Sequence, residues 1–328
     1  RDSGGEMKLA DVISDLSDEH FIKLSSSDNQ KTILEHNPRN YALITGSSRE
    51  QDEQGIMGDI TRFVAEHFSE TKISVSMLNN FFECPWKWYF RNFLKLPETK
   101  GVSLALGSAV HNTIEFILKS KTLPTETEIK NTINFQLERE GVHNDKDLAR
   151  LGTDAYTAIK TWIDMYYNNL AKNYTSERSI SFRDKQFPNL SMYGKIDLTE
   201  RSPDGSIIVT DFKTGTSKTA GVIEKMGDDG RMSGLLRQLA MYSYLIAGSE
   251  GNTVHESRLL FLEEDKENKN ACYRTRITDE QIQLLIRDIA DYQNLLTTGD
   301  WTKQVCTAKS YGTGSVCEYC DRIKRILE

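Results

Sequence analysis

The chain has 328 residues, 38% of them hydrophobic and 27% charged, which is enough for one large α/β domain with appendages or for two modest domains. Forty-one basic against 48 acidic residues leave a net charge of −7, which excludes a generic basic nucleic-acid coat; contact with DNA would have to rest on local basic patches and bound cations. No apolar run reaches the length of a membrane span, and no signal-peptide pattern opens the chain.

Arg1 stands where a starting Met would be, which reads as a piece of a longer protein or a processed product. Residues 1–70 are polar and weakly periodic, a poorly defined segment that reads as the tail of an upstream module. Within it, Arg49-Glu50-Gln51-Asp52-Glu53-Gln54-Gly55 has the composition of a linker. Residues 71–328 form the domain proper. Ser76 is the expected N-cap of an aromatic-rich helical stretch, Met77–Phe93, broken at Cys84-Pro85. Trp86, Trp88, Tyr89 and Phe90 within it could stack on bases, but an aromatic cluster beside a cysteine is more often core.

Helical periodicity follows over 104–119, 125–140 and 147–172. The last carries Tyr156, Ile159, Trp162, Ile163, Tyr166 and Tyr167 on one core-facing stripe. Strands are predicted over 178–186, 190–199 and 205–212. A helix over 231–247, strands over 255–263 and 270–276, and a helix over 278–297 complete a mixed α/β core.

The segment between the second and third strands, Ser202-Pro203-Asp204-Gly205-Ser206, suits a three-residue hairpin loop, with Pro203 opening a type I turn and Gly205 in the left-handed position. That loop makes Ser202 face Ser206. In this register Asp197 lies opposite Asp211, on one face of the sheet, and Lys213 follows on the same face by the period of two. Opposed carboxylates repel, so a raised pKa, a cationic side chain or a bound cation must offset them. One reading is a solvated ion pair with Lys213. The other is a phosphate-handling site: the carboxylates hold a hard cation through oxygen, and Lys213 positions water or neutralises developing charge. The apolar flank Ile207-Ile208-Val209 reads as a buried strand and favours the second.

Four motifs in order carry a family resemblance: Ser76 to Phe90 (SMLNNFFECPWKWYF), Gly107-Ser108-Ala109-Val110-His111, the pair G-K-I-D at Asp197 and D-F-K-T-G at Asp211, and Gln238 with Tyr242 four residues on. Over residues 74–328 the chain resembles the PD-(D/E)XK nucleases in their RecB-like branch. The resemblance implies a restriction-endonuclease-like core, a central mixed sheet flanked by helices, with a helical N-terminal part. It implies that His111, Asp197, Asp211 and the backbone carbonyl of Phe212 ligate Mg2+ or Mn2+. Lys213 would be the catalytic lysine, and Gln238 and Tyr242 would orient it or contact DNA. The activity implied is metal-dependent DNA hydrolysis in the cytoplasm, on DNA with single-stranded ends. A helicase module or subunit would be the partner in DNA repair, or the chain would stand alone as the CRISPR-associated exonucleases do. Read by itself, a histidine such as His111 on an amphipathic helix is more often a satisfied core or boundary residue than a ligand, with Glu115 as its partner or as a solvated charge.

Five cysteines at uneven spacing make a poor disulfide framework and suit a reducing compartment. In the iron–sulfur members of the branch that this chain resembles, one early and three late cysteines hold a 4Fe–4S cluster. Here the last of the late positions falls on Ile326 or Leu327, and Cys306 is the substitute. Three readings stand: a cluster on Cys84, Cys306, Cys317 and Cys320, zinc at the same residues, or a partial site. Cys272 reads as core. Against the enzyme stands a second class, a catalytically silent nuclease fold that binds DNA or a partner; loss of Asp197, Asp211 or Lys213 would mark it, and all three are present.

Overall fold

The turn at Ser202–Ser206 sets the centre of the sheet. In the computed structural model, which describes residues 52–98, 101–262, 272–308 and 317–327, Ser202 N donates to Ser206 O and Gly205 N to Ser202 O, each at 2.9 Å. Gly205 takes φ 85°, the left-handed conformation the loop requires. The described helices are α1 (Asp52–His67), α2 (Val75–Glu83), α3 (Pro85–Trp88), α4 (Val102–Lys119), α5 (Glu126–Arg139), α6 (Asp145–Met165), α7 (Ala220–Ile223), α8 (Gly234–Glu250), α9 (Asp279–Thr298) and α10 (Glu318–Leu327). The strands are β1 (Asn173–Phe182), β2 (Met192–Arg201), β3 (Ile207–Lys213), β4 (Val254–Phe261) and β5 (Cys272–Thr275).

The sheet runs β1-β2-β3-β4-β5, antiparallel throughout except for the parallel pair β3–β4. This is the mixed α/β core expected. Leu198 pairs with Thr210 and Arg201 with Ile207, so the hairpin holds the register read from its loop. Two parallel strands need a crossover, and α8 lies in it. Ser233 caps α8 by accepting Leu236 N at 3.1 Å, and Gly251 ends it at φ 67°. Gly194 lets α8 sit close on β2: a Cβ there would fall 2.6 Å from Leu245 Cδ1. Helices α4, α5 and α6 build a core of Ile114, Ile133, Leu137, Ile159 and Trp162 that packs on Leu198, Phe212 and Leu260 of the sheet.

Several expectations need correcting. The N-cap of α2 is Ser74, not Ser76: Ser74 is extended and its Oγ accepts Met77 N, while Val75 and Ser76 are already helical. The helical stretch does break at Cys84, which caps α3 with Pro85 in its first turn, and a π-turn over Tyr89–Phe93 follows. The aromatic cluster is core rather than a stacking platform. Trp86, Trp88, Tyr89 and Phe90 are all buried, with Trp88 edge-on to Tyr292 and Tyr89 stacked on Trp301.

Helix α6 stops at Met165, and a 3-10 turn at Tyr167–Asn169 takes the place of its expected last turns. Strand β1 starts at Asn173, five residues before the expected 178. Positions 52–55 of the expected linker open α1, where Ile60, Phe63, Val64 and His67 recur at helical spacing. Positions 49–51 lie outside the described residues, as do residues 1–48 and the strand ends expected at 263 and 270–271. The chain divides into two units, residues 61–325 and residues 1–60 with 326–328, and the sheet lies in the first. Among the described residues no helix is long and apolar enough to cross a membrane.

Candidate active site

Strand β2 keeps one constant register with each neighbour, and both ladders lapse at Asp197. On one side the β1–β2 ladder pairs Ser176 with Leu198 and Arg178 with Ile196, skipping the opposed Glu177 and Asp197. On the other, the β2–β3 ladder stops at Leu198–Thr210, one step short of Asp197 and Asp211. Glu177, Asp197 and Asp211 thus form a row of three carboxylates across β1, β2 and β3. Glu177 takes φ 51°, a conformation a glutamate adopts at a cost of about 1–2 kcal/mol. Asp197 Oδ2 accepts Phe212 N at 2.7 Å, so the side chain supplies the bond that the backbone ladder leaves out.

Helix α4 brings His111 to the row. Its Nδ1 lies 3.3 Å from Asp197 Oδ1, and its ring packs edge-on to Phe212. Burial pushes the His111 imidazole down, the Asp197 carboxylate pushes it up, and the net direction is upward. Glu115 is not its partner; Glu115 pairs with Lys119 along the helix. One ligand atom each from His111, Glu177 and Asp197 fall within 4.8 Å of one another. Glu177 also pairs with Lys195, and burial holds its carboxyl above the ordinary range against that attraction.

Asp211 faces a separate set. Its Oδ1 accepts from Gln238 Nε2 at 2.7 Å and from Tyr242 OH at 2.9 Å, both delivered by one face of α8. Lys213 Nζ lies 2.7 Å from Asp211 Oδ2 and donates to Gln238 Oε1 at 2.7 Å. Gln238 Nε2 also donates to Tyr242 OH. Asp211 is 2% exposed, and burial pushes its carboxyl up against the pull of Lys213. Burial and the Asp211 charge raise the Tyr242 phenol well above its usual value.

His111, Asp197, Asp211, Phe212, Lys213, Gln238 and Tyr242 all line one cleft of about 610 Å³, joined by Glu177 and Lys195. Sequence reasoning missed Glu177, because the strand was expected to begin one residue after it. A carboxylate opposite Asp197 was the available signal.

The donor set fits a hard divalent cation. Two carboxylates and an imidazole converge, and Asp211 Oδ2 beside them is buried against the Lys213 ammonium. The four cysteines expected to share a site also converge. The sulfurs of Cys84, Cys306, Cys317 and Cys320 lie within 4.8 Å of one another, while Cys272 is half-buried on β5 against the core.

A family model described as the PD-(D/E)XK nuclease superfamily matches residues 72–325. Among curated proteins none matches the chain in sequence. The solved structure of a candidate exonuclease from Eubacterium rectale is similar at 15% identity, with a TM-score of 0.51, covering 79% of this chain and 90% of that one. At that identity the likeness speaks for the fold. SSO0001 aligns at 13% identity and TM-score 0.33 over 74% of this chain and 86% of that one. VC1899 from Vibrio cholerae aligns at 9% and 0.21 over 70% and 57%.

Proposed function

The chain belongs to the PD-(D/E)XK nuclease superfamily, and from that premise we propose that it hydrolyses phosphodiester bonds of DNA with a bound divalent cation, Mg2+ or Mn2+. The observation that carries this reading is the carboxylate row Glu177–Asp197–Asp211 beside Lys213 in one cleft. His111, Glu177 and Asp197 would hold the cation, with Asp211 Oδ2 and the Phe212 carbonyl as further donors. When bound, the cation supplies positive charge for a phosphoryl oxygen and acidifies the attacking water.

The chain's own residues do the rest. Gln238 accepts from Lys213 and, with Tyr242, donates to Asp211, so it fixes ammonium and carboxylate relative to each other. Lys213 is then placed to neutralise charge developing on the phosphate. Gln238 and Tyr242 are positioning residues in this scheme. Retention of Asp197, Asp211 and Lys213 in one cleft favours an enzyme over a silent binding fold. A helicase partner, a repair role and a reducing, cytoplasmic setting belong to the proposal too. They rest on the resemblance and, for the compartment, on cysteines that are all free.

The test is cleavage of end-labelled single- and double-stranded DNA with Mg2+, with Mn2+ and with EDTA, beside Lys213→Ala. Metal-dependent cutting lost in the variant is the expected result. Absence of cutting by the folded chain with either metal would overturn it.

A further inference from the structure

The four-cysteine site joins two distant stretches of sequence. Cys84 sits buried at the corner between α2 and α3, and its sulfur accepts Lys87 N at 3.4 Å. Cys306 is held beside that corner by its neighbour Thr307, whose N donates to Glu83 O at 2.8 Å. Cys317 and Cys320 lie at the start of α10, and the backbone N–H groups of Tyr319 and Cys320 are directed at the Cys317 sulfur. Tyr319 OH donates to Glu98 Oε1 at 2.7 Å and Arg322 lies over the Phe90 ring, which docks the helix on the same corner.

The spacing of the sulfurs decides what the site can hold. Cys84 Sγ lies 3.7 Å from Cys320 Sγ and 3.8 Å from Cys317 Sγ, and no pair among the four exceeds 4.8 Å. A disulfide needs about 2.05 Å, so these are not bonded pairs. With two edges of 3.7 and 3.8 Å and the others no longer than 4.8 Å, an ion at the centre lies about 2.3–2.9 Å from the sulfurs, a range that begins at the length of a Zn–S bond. A 4Fe–4S cubane places four irons and four sulfides between its thiolates and holds them on the order of 6 Å apart. The residues as positioned do not fit that group. The ligand order departs from the iron–sulfur pattern as well, since Cys306 precedes the C-x-x-C pair and the last position of that pattern falls on Ile326 or Leu327.

We infer that Cys84, Cys306, Cys317 and Cys320 bind a single Zn2+ in a closed tetrahedral site that fastens α10 to the α2–α3 corner. Four protein thiolates leave no open position on the ion, so the site is structural and takes no part in hydrolysis. This inference is independent of the nuclease reading, because none of its observations involves the cleft.

The test uses the full chain purified without oxygen, with metal and acid-labile sulfide quantified and zinc K-edge X-ray absorption recorded. The expected result is a colourless protein with one equivalent of zinc that survives dialysis and a shell of four sulfurs at about 2.3 Å. Cys306→Ser should lower zinc retention about tenfold or more, whereas Cys272→Ser should leave it at one equivalent. A brown protein containing iron and sulfide would overturn the inference. So would a folded protein with neither metal, or zinc in a nitrogen and oxygen shell. If Cys306→Ser does not fold, the stoichiometry and ligand shell of the unaltered chain still decide.

Discussion

The carboxylate of Asp197 stands in for a rung of the sheet, taking the Phe212 N–H at 2.7 Å where the β2–β3 backbone ladder stops. One side chain therefore serves the fold with Oδ2 and meets His111 with Oδ1. The two duties separate by substitution. Asp197→Asn keeps an acceptor for Phe212 and should retain stability to within about 1 kcal/mol while losing metal-dependent cleavage. Asp197→Ala should lose cleavage and a further 1–3 kcal/mol or so, the cost of an orphaned buried N–H. Denaturant unfolding beside a cleavage assay distinguishes them; equal stability of the two variants would contradict the shared role.

Glu177→Gln tests the residue that completes the row. The amide keeps the size and removes the charge, so we expect Mn2+ affinity to fall about tenfold or more, with activity largely restored at saturating metal. Titration calorimetry with Mn2+ and a metal-dependence curve measure this. Unchanged affinity would remove Glu177 from the ligand set.

Lys213→Ala leaves the Asp211 carboxylate buried at 2% exposure without its cation. Cleavage should fall on the order of 10²–10³-fold. Metal-free stability should also fall by about 3 kcal/mol, and added Mn2+ should recover much of it by binding beside Asp211. A thermal shift on adding Mn2+ that is no larger in the variant than in the parent would count against a cation shared with Asp211.

Tyr242→Phe removes a donor to Asp211 Oδ1 and an acceptor for Gln238 Nε2 while keeping the ring. Expected is a drop of roughly tenfold in kcat with KM for DNA unchanged, the signature of a residue that acts through the network. A rise in KM alone would assign Tyr242 to DNA contact instead.

Asp288 is fully buried and accepts from Arg231 at 2.5 Å and Arg237 at 2.8 Å. Arg237 also donates to Asn79 of α2. Asp288→Ala leaves two guanidiniums without their common partner and should cost about 3–5 kcal/mol. Because Arg237 adjoins Gln238 on α8, activity per folded molecule should fall as well. Urea unfolding with active-site titration measures both.

The hairpin was legible in the sequence because turn chemistry and the period of two are local rules, and Ser202–Ser206 obeys them. What lay beyond reach was set at long range. His111 reaches Asp197 across 86 positions, so nothing near His111 revealed that Asp197 rather than Glu115 is its partner. Glu177 breaks a local rule, with φ 51° inside a strand, and the expected strand began only at the residue after it. The cysteines were legible as a ligand set by type, but the close spacing of their sulfurs depends on how α10 docks. Ser76 and Ser74 differ by two residues and share a hydroxyl, so composition cannot rank them as caps.

The parallel pairing of β3 with β4 has a kinetic consequence. The hairpin that sets Asp197 opposite Asp211 closes over a few residues, whereas Gln238 and Tyr242 arrive on the longer crossover between β3 and β4. Short-range closure precedes long-range pairing in refolding. Asp197 and Asp211 therefore come together with only Lys213 of their own hairpin to offset them, before Gln238 and Tyr242 are in place.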